Sequence, residues 1–118
     1  MSKTILAVDN AVMFLNTLKR LLRDHPYDVH CETTAEGTLE YLEKNRPDII
    51  LLDVEMHDID GYALARKITA AGHRSPILFI TANSGKEYVD KAKEVGAVGL
   101  LVKPLRIQQL LEKLNEFS

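Results

Sequence analysis

Residues 49–53 read Ile-Ile-Leu-Leu-Asp, a bulky aliphatic run ended by a carboxylate. A run this short, with no polar residue at alternate positions, reads as a strand buried on both faces. The same pattern recurs at Ile5-Leu6-Ala7-Val8 before Asp9-Asn10, at Ile77-Leu78-Phe79-Ile80 before Thr81, and at Leu100-Leu101-Val102 before Lys103-Pro104. In an open α/β sheet, ligands bind in the crevice beyond the carboxyl ends of the strands. Carboxylates, an amide, a hydroxyl and an ammonium are therefore expected at one edge of one sheet. That set suits a small hard cation and a phosphoryl group.

Helical spacing fills the intervals between these runs. A first helix is expected from near Ala11 to Asp24-His25, before Pro26, with Phe14, Leu18, Leu21 and Leu22 as its apolar stripe. Residues Asp28 to Thr33 form a weaker strand, Val29 and Cys31 on one side, at a sheet edge. Ala35, Leu39 and Leu42 mark a second helix, ending before Pro47. Gly61, Leu64, Ala65 and Ile68 mark a third, stopped by Gly72. Lys86 to Val95 is a charged fourth helix ending at Gly96, and Ile107, Leu110, Leu111, Leu114 and Phe117 define an amphipathic fifth. The fold class is α/β: a doubly wound, flavodoxin-like, five-stranded parallel sheet with helices on both faces. Strand order 2-1-3-4-5 is one of the common solutions, and it sets the strands of Asp9 and Asp53 side by side.

A chain of 118 residues can bury a core without staples. Its formal net charge of -2 gives no electrostatic case for binding nucleic acid or an acidic membrane. A single cysteine, Cys31, excludes an intramolecular disulfide and fits a reducing, cytoplasmic setting. No apolar stretch approaches the ~20 residues that span a bilayer. His25, His30, His57 and His73 fall at no zinc-site spacing. A monomer or weak dimer is expected.

Over essentially its whole length the chain resembles the receiver domain of two-component response regulators. The matching segments are ILAVDN (5–10), LLDVEMHDIDGYAL (51–64), ILFITA (77–82) and VGLLVKP (98–104), in family order and spacing. The resemblance implies a single receiver domain over 1–118, with no output domain attached. It implies that a histidine kinase or histidine phosphotransferase donates a phosphoryl group to Asp53, with Mg²⁺ held at Asp9, Asn10 and Asp53. Thr81 and Lys103 would sense the phosphoryl oxygens, Thr81 and Leu100 would form the switch, and the bond before Pro104 would be cis. The domain would then be no enzyme, but an acceptor assisting its own phosphorylation and dephosphorylation, which presents a face to a downstream protein. Charge-assisted hydrogen bonds contribute ~1.5–3 kcal/mol each, so Thr81 and Lys103 together supply ~3–6. A switch from mostly inactive to mostly active needs about 5.5 kcal/mol.

Three positions, Asn10, Leu100 and His57, depart from the family pattern, and Glu55 fills a place where the family varies. Asn10 replaces an acid at the metal, which removes a negative charge and weakens Mg²⁺ binding; it also suits a helix N-cap. Glu55 follows the acceptor by two, and its carboxylate is expected either to make up that charge or to sit as an exposed loop acid. Leu100 replaces the usual Tyr or Phe, and His57 stands where proline is common, a solvated loop residue. Met13, Thr17 and the Leu105-Arg106 loop are candidates for docking the phosphodonor. The output face is expected to include Tyr88, Lys91, Lys93 and Glu94 with Leu100. A degenerate receiver that binds partners without phosphorylation is the competing reading. A haloacid-dehalogenase-type phosphohydrolase needs an Asp where Glu55 stands, and a cobalamin-binding domain needs Asp-x-His-x-x-Gly, which is not met.

Overall fold

The structure, a computed structural model, describes residues 2–117. Strands and helices alternate as β1 (Lys3–Val8), α1 (Val12–Leu21), β2 (Tyr27–Glu32), α2 (Ala35–Lys44), β3 (Ile49–Asp53), α3 (Gly61–Ala70), β4 (Ile77–Thr81), α4 (Lys86–Glu94), β5 (Gly99–Val102) and α5 (Ile107–Asn115). The sheet order is β2-β1-β3-β4-β5, every pairing is parallel, and the expected doubly wound arrangement is observed. Strands β3 and β4 are buried along their full length, whereas the edge strands β2 and β5 are half-buried. Full burial fits the unbroken aliphatic runs of β3 and β4, and the half-buried β2 carries polar residues, whereas β5 keeps an aliphatic run despite partial exposure.

Alternation along each strand divides the core into two layers. Leu6, Val8, Ile50, Leu52, Ile77 and Phe79 face α2, α3 and α4, meeting Leu42, Leu64, Ile68 and Ala92. Ile5, Ala7, Ile49, Leu51, Leu78 and Ile80 face α1 and α5, meeting Leu15, Leu18, Leu110 and Leu114. Each helix therefore needs only one apolar stripe, which its sequence supplies at helical spacing.

Two local expectations are corrected. Helix α1 ends at Leu21 rather than at Asp24-His25, because the chain tightens into short turns there. Arg23 N–H donates to Arg20 O at 3.3 Å and His25 N–H to Leu22 O at 3.1 Å, ahead of Pro26. The second strand runs one residue earlier than expected, from Tyr27 to Glu32, with Val29 and Cys31 packed on the α1–α5 layer. Helices α3 and α4 stop where Gly72 and Gly96 take positive φ of 93° and 80°, a conformation that costs other residues energy.

Candidate functional site

Strand register alone brings the chemistry together. Val8 pairs with Leu52, so the next residues along, Asp9 and Asp53, sit at adjacent strand ends. Asp53 pairs with Ile80 and Thr81 with Val102, which aligns the ends of β3, β4 and β5 on the same edge. Lys103 N–H donates to Thr81 O at 2.7 Å and Val54 N–H to Ile80 O at 3.0 Å, carrying the ladder past the last residues.

The alternation that sorts the core also sorts the site. Asp9 continues the Ile5, Ala7 series and Asp53 the Ile49, Leu51 series, so both carboxylates belong to the α1–α5 side. Lys103 follows Leu101 on that side, and its Nζ lies 2.6 Å from Asp9 Oδ2 and 3.9 Å from Asp53 Oδ1. The ammonium also stands 4.2 Å from the centre of the Phe14 ring, an α1 side chain that gives it a cation–π contact. Thr81 continues the Ile77, Phe79 series and falls on the opposite, α2–α4 side.

Asp9 and Asp53 are 1% and 4% exposed. Burial first, and the Asp9 carboxylate second, push the Asp53 carboxyl from 3.8 up to about 6; Lys103 and the backbone N–H of Glu55 pull it the other way. Asp9 is held in place by accepting from Ala11 N–H at 2.8 Å through its other oxygen.

Asn10 does not cap α1. The N-cap is Ala11, which makes no side-chain capping bond, and its own N–H donates to Asp9 just ahead of the helix. The Asn10 side chain is half-buried and makes no hydrogen bond among the described residues. The Lys103–Pro104 peptide is cis.

Glu55 does not turn toward Asn10. Its Oε1 accepts from Thr81 Oγ at 2.6 Å and its Oε2 from Asn83 Nδ2 at 2.9 Å. Asn83 escaped sequence reading, although its place two residues past Thr81 was a signal that a polar side chain could return to the strand end. Also unforeseen were the residues that hold the loop after β3. Asp58 Oδ2 accepts from Ala35 N–H at 2.8 Å, capping the start of α2 from 23 residues away. Asp60 caps α3 by accepting from Tyr62 N–H at 2.7 Å. Gly61 lets α3 start against the acceptor strand, since a Cβ there would lie 2.2 Å from Asp53 O.

Two depressions adjoin the acidic edge. A groove of about 220 Å³ between α1 and the turn after β5 contains Phe14 with three of the docking candidates, Met13, Thr17 and Leu105. Arg106 is exposed and outside that lining. A larger cleft of about 680 Å³ opens between the Val54–Asp60 loop and α4, beside the acids rather than over them. Tyr62 forms its floor, donating its hydroxyl to Tyr88 O at 2.9 Å, with Lys91 Nζ 5.8 Å from its ring centre. Leu100 is half-buried against the α2–α4 layer, and Lys93 and Glu94 are exposed on α4.

A family model described as the response regulator receiver domain matches residues 5–115. The chain is 37% identical over 112 residues to the transcriptional regulatory protein ZraR of Salmonella typhimurium, covering 92% of this chain and 25% of ZraR. It is 36% identical over 108 residues to the two-component response regulator ARR12 of Arabidopsis thaliana, covering 90% of this chain and 18% of ARR12. The chain thus spans a quarter or less of the length of these two relatives. Among solved structures, the chemotaxis protein CheY4 of Vibrio cholerae superposes with a TM-score of 0.92 at 28% identity, over 100% of both chains.

Proposed function

The chain belongs to the response regulator receiver domain family of two-component systems, and from that premise we propose that Asp53 accepts a phosphoryl group from a phosphohistidine. One observation carries the reading: Lys103 joins two buried strand-end carboxylates, 2.6 Å from Asp9 and 3.9 Å from Asp53. A solvated lysine or an isolated loop acid would not give that arrangement. In the transfer, an Asp53 oxygen attacks phosphorus, an O–P bond forms and the P–N bond of the donor breaks. The leaving ring nitrogen keeps the bonding pair and takes a proton from solvent. Lys103 then offers N–H donors to the charge that arrives on the phosphoryl oxygens. The domain acts as an acceptor rather than as an enzyme turning over a separate substrate.

The donor chemistry fits Mg²⁺. Two like charges buried side by side, one with its carboxyl pushed up to about 6, are relieved by a divalent cation. Asp9 and Asp53 would hold it through carboxylate oxygens and Asn10 through its amide oxygen. Glu55 stands apart, its oxygens already engaged by Thr81 and Asn83. The described residues include no group of three acidic, histidine or cysteine side chains able to share one ion. Waters and phosphoryl oxygens would supply the remaining oxygen donors. When bound, the ion neutralises charge developing on the transferred group.

Met13 is 84% exposed on the rim of a groove lined by Phe14, whose ring also contacts the Lys103 ammonium. An apolar rim in contact with the reacting edge supports this groove as the dock for a histidine kinase or phosphotransferase. The α4–β5 face, with Tyr88, Lys91 and Leu100, is the face offered to a downstream protein. Free Cys31 supports a cytoplasmic location. No helix among the described residues is long and apolar enough to cross a membrane.

Incubation with phosphoramidate and Mg²⁺ tests the reading by mass spectrometry. A gain of one phosphoryl mass, absent in Asp53→Asn, is the expected result. No gain in the parent chain would favour a receiver that binds partners without phosphorylation, the reading to which Asn10 lends weight.

A further inference from the structure

We propose that Glu55 is an internal competitor of the phosphoryl group for the Thr81 hydroxyl, and that Asn83 aims it. The inference rests on the reading of Asp53 as phosphoacceptor. Thr81 donates to Glu55 Oε1 at 2.6 Å, and Asn83 Nδ2 donates to Glu55 Oε2 at 2.9 Å. The backbone N–H of Asn83 returns a bond to Thr81 Oγ at 3.1 Å and closes the ring. A hydroxyl has one proton to give. While Glu55 takes it, none remains for an oxygen on Asp53.

Glu55 is suited to compete because it offers the same kind of partner, an anionic oxygen. Thr81 is fully buried, so its hydroxyl has no recourse to water and must choose between the two acceptors. Glu55 is exposed and can turn into solvent once released. The latch therefore opens without disturbing the core. The sheet alternation gives the choice a direction. Thr81 projects with Glu55 on the α2–α4 side, while Asp53, Asp9 and Lys103 project on the other. A phosphoryl group that claims the hydroxyl must draw it from Glu55, and Asn83 loses its side-chain partner when Glu55 turns into solvent. Asp53 occupancy would so be reported to the Asn83–Gly85 segment that leads into α4. Glu55 and Asn83 are positioning residues: they act on the phosphoryl group through Thr81.

Glu55 also repels a phosphoryl group by charge alone, and the test separates the two effects. Beryllofluoride with Mg²⁺ is titrated into the parent, Glu55→Ala, Glu55→Gln and Asn83→Ala, following the Thr81 γ-methyl and Asn83 side-chain amide resonances by NMR. Before addition, Glu55→Ala should already shift both signals. Glu55→Ala should bind beryllofluoride about tenfold more tightly, equivalent to about 1.4 kcal/mol. Glu55→Gln should gain less, because its amide oxygen still accepts from Thr81, and Asn83→Ala should fall between them. In a Thr81→Ala background the benefit of Glu55→Ala should shrink. Equal gains for Ala and Gln, unchanged without the Thr81 hydroxyl, would leave charge as the whole effect and overturn the latch while the Asp53 assignment stands. A parent chain that binds no beryllofluoride, or binds it as well as Asp53→Asn does, would remove the phosphoacceptor reading and the competition with it.

Discussion

Lys103 and Asp9 lie 94 residues apart in the chain and their charged atoms 2.6 Å apart in the fold. The pair joins the first strand end to the last, with Asp53 between them at 3.9 Å from the same ammonium. Asp9 is 2% exposed at its side chain and Lys103 23%, so the bond is shielded from water on one side only.

Replacing Lys103 by Ala leaves Asp9 and Asp53 facing each other without a cation. Breaking a fully buried pair costs ~3–5 kcal/mol, and partial exposure of the lysine reduces this to roughly 1–3. Urea unfolding at pH 7 should show that loss, and saturating Mg²⁺ should restore part of it.

The Asp53 carboxyl titrates higher in the folded protein, about 6, than its ordinary 3.8. Between those values the folded state holds the proton more often than the unfolded one, so stability is greatest below about 4 on this account and falls as pH rises through 6. A displacement of this size corresponds to roughly 2–3 kcal/mol. Asp53→Asn should therefore be more stable than the parent at pH 7, and the two should converge near pH 4. Thermal melts of both at matched pH values check the sign.

Asn10→Asp adds a third carboxylate oxygen donor at the acidic edge. Stronger attraction for a divalent cation should raise Mg²⁺ affinity roughly tenfold, while the metal-free protein loses stability through added repulsion. Calorimetric Mg²⁺ titration and denaturation in chelator should move in these opposite directions.

Gly61→Ala forces a Cβ to within 2.2 Å of Asp53 O and 2.8 Å of Val54 Cα. Backbone must shift, at a cost of about 1–3 kcal/mol or more. Because the displaced atoms belong to the acceptor strand end, phosphorylation by phosphoramidate should slow even at temperatures where the variant is folded.

Met13→Asp places a charge on the apolar groove beside Phe14. Transfer from a phosphohistidine protein should slow, while phosphorylation by phosphoramidate, which needs no docking, should proceed at the parent rate. Loss of both rates together would point to a folding defect instead.

Much of this is legible in the sequence. Aliphatic runs of strand length ending at Asp9, Asp53 and Thr81 point to a buried parallel sheet, because strands covered on both faces need no polar alternation. Local punctuation was legible too: Gly72 and Gly96 ended their helices as expected, since positive φ is cheap only for glycine. The early end of α1 was not, because the competition between one more helical turn and the tight turns before Pro26 involves small energies on both sides.

The sequence by itself determined which groups reach the carboxyl edge of the sheet, and through the two-residue period of a strand, which side of the sheet each one faces. Only the tertiary structure decided whom they meet. Thr81 bonds Glu55, Asp58 caps a helix 23 residues away, and Asp9 rather than Asn10 accepts from the amide of Ala11, just ahead of α1. The reason is physical: backbone pairing is a periodic, local property of the chain. A side-chain partner depends on which loop atoms fall within about 3 Å after the whole core has packed.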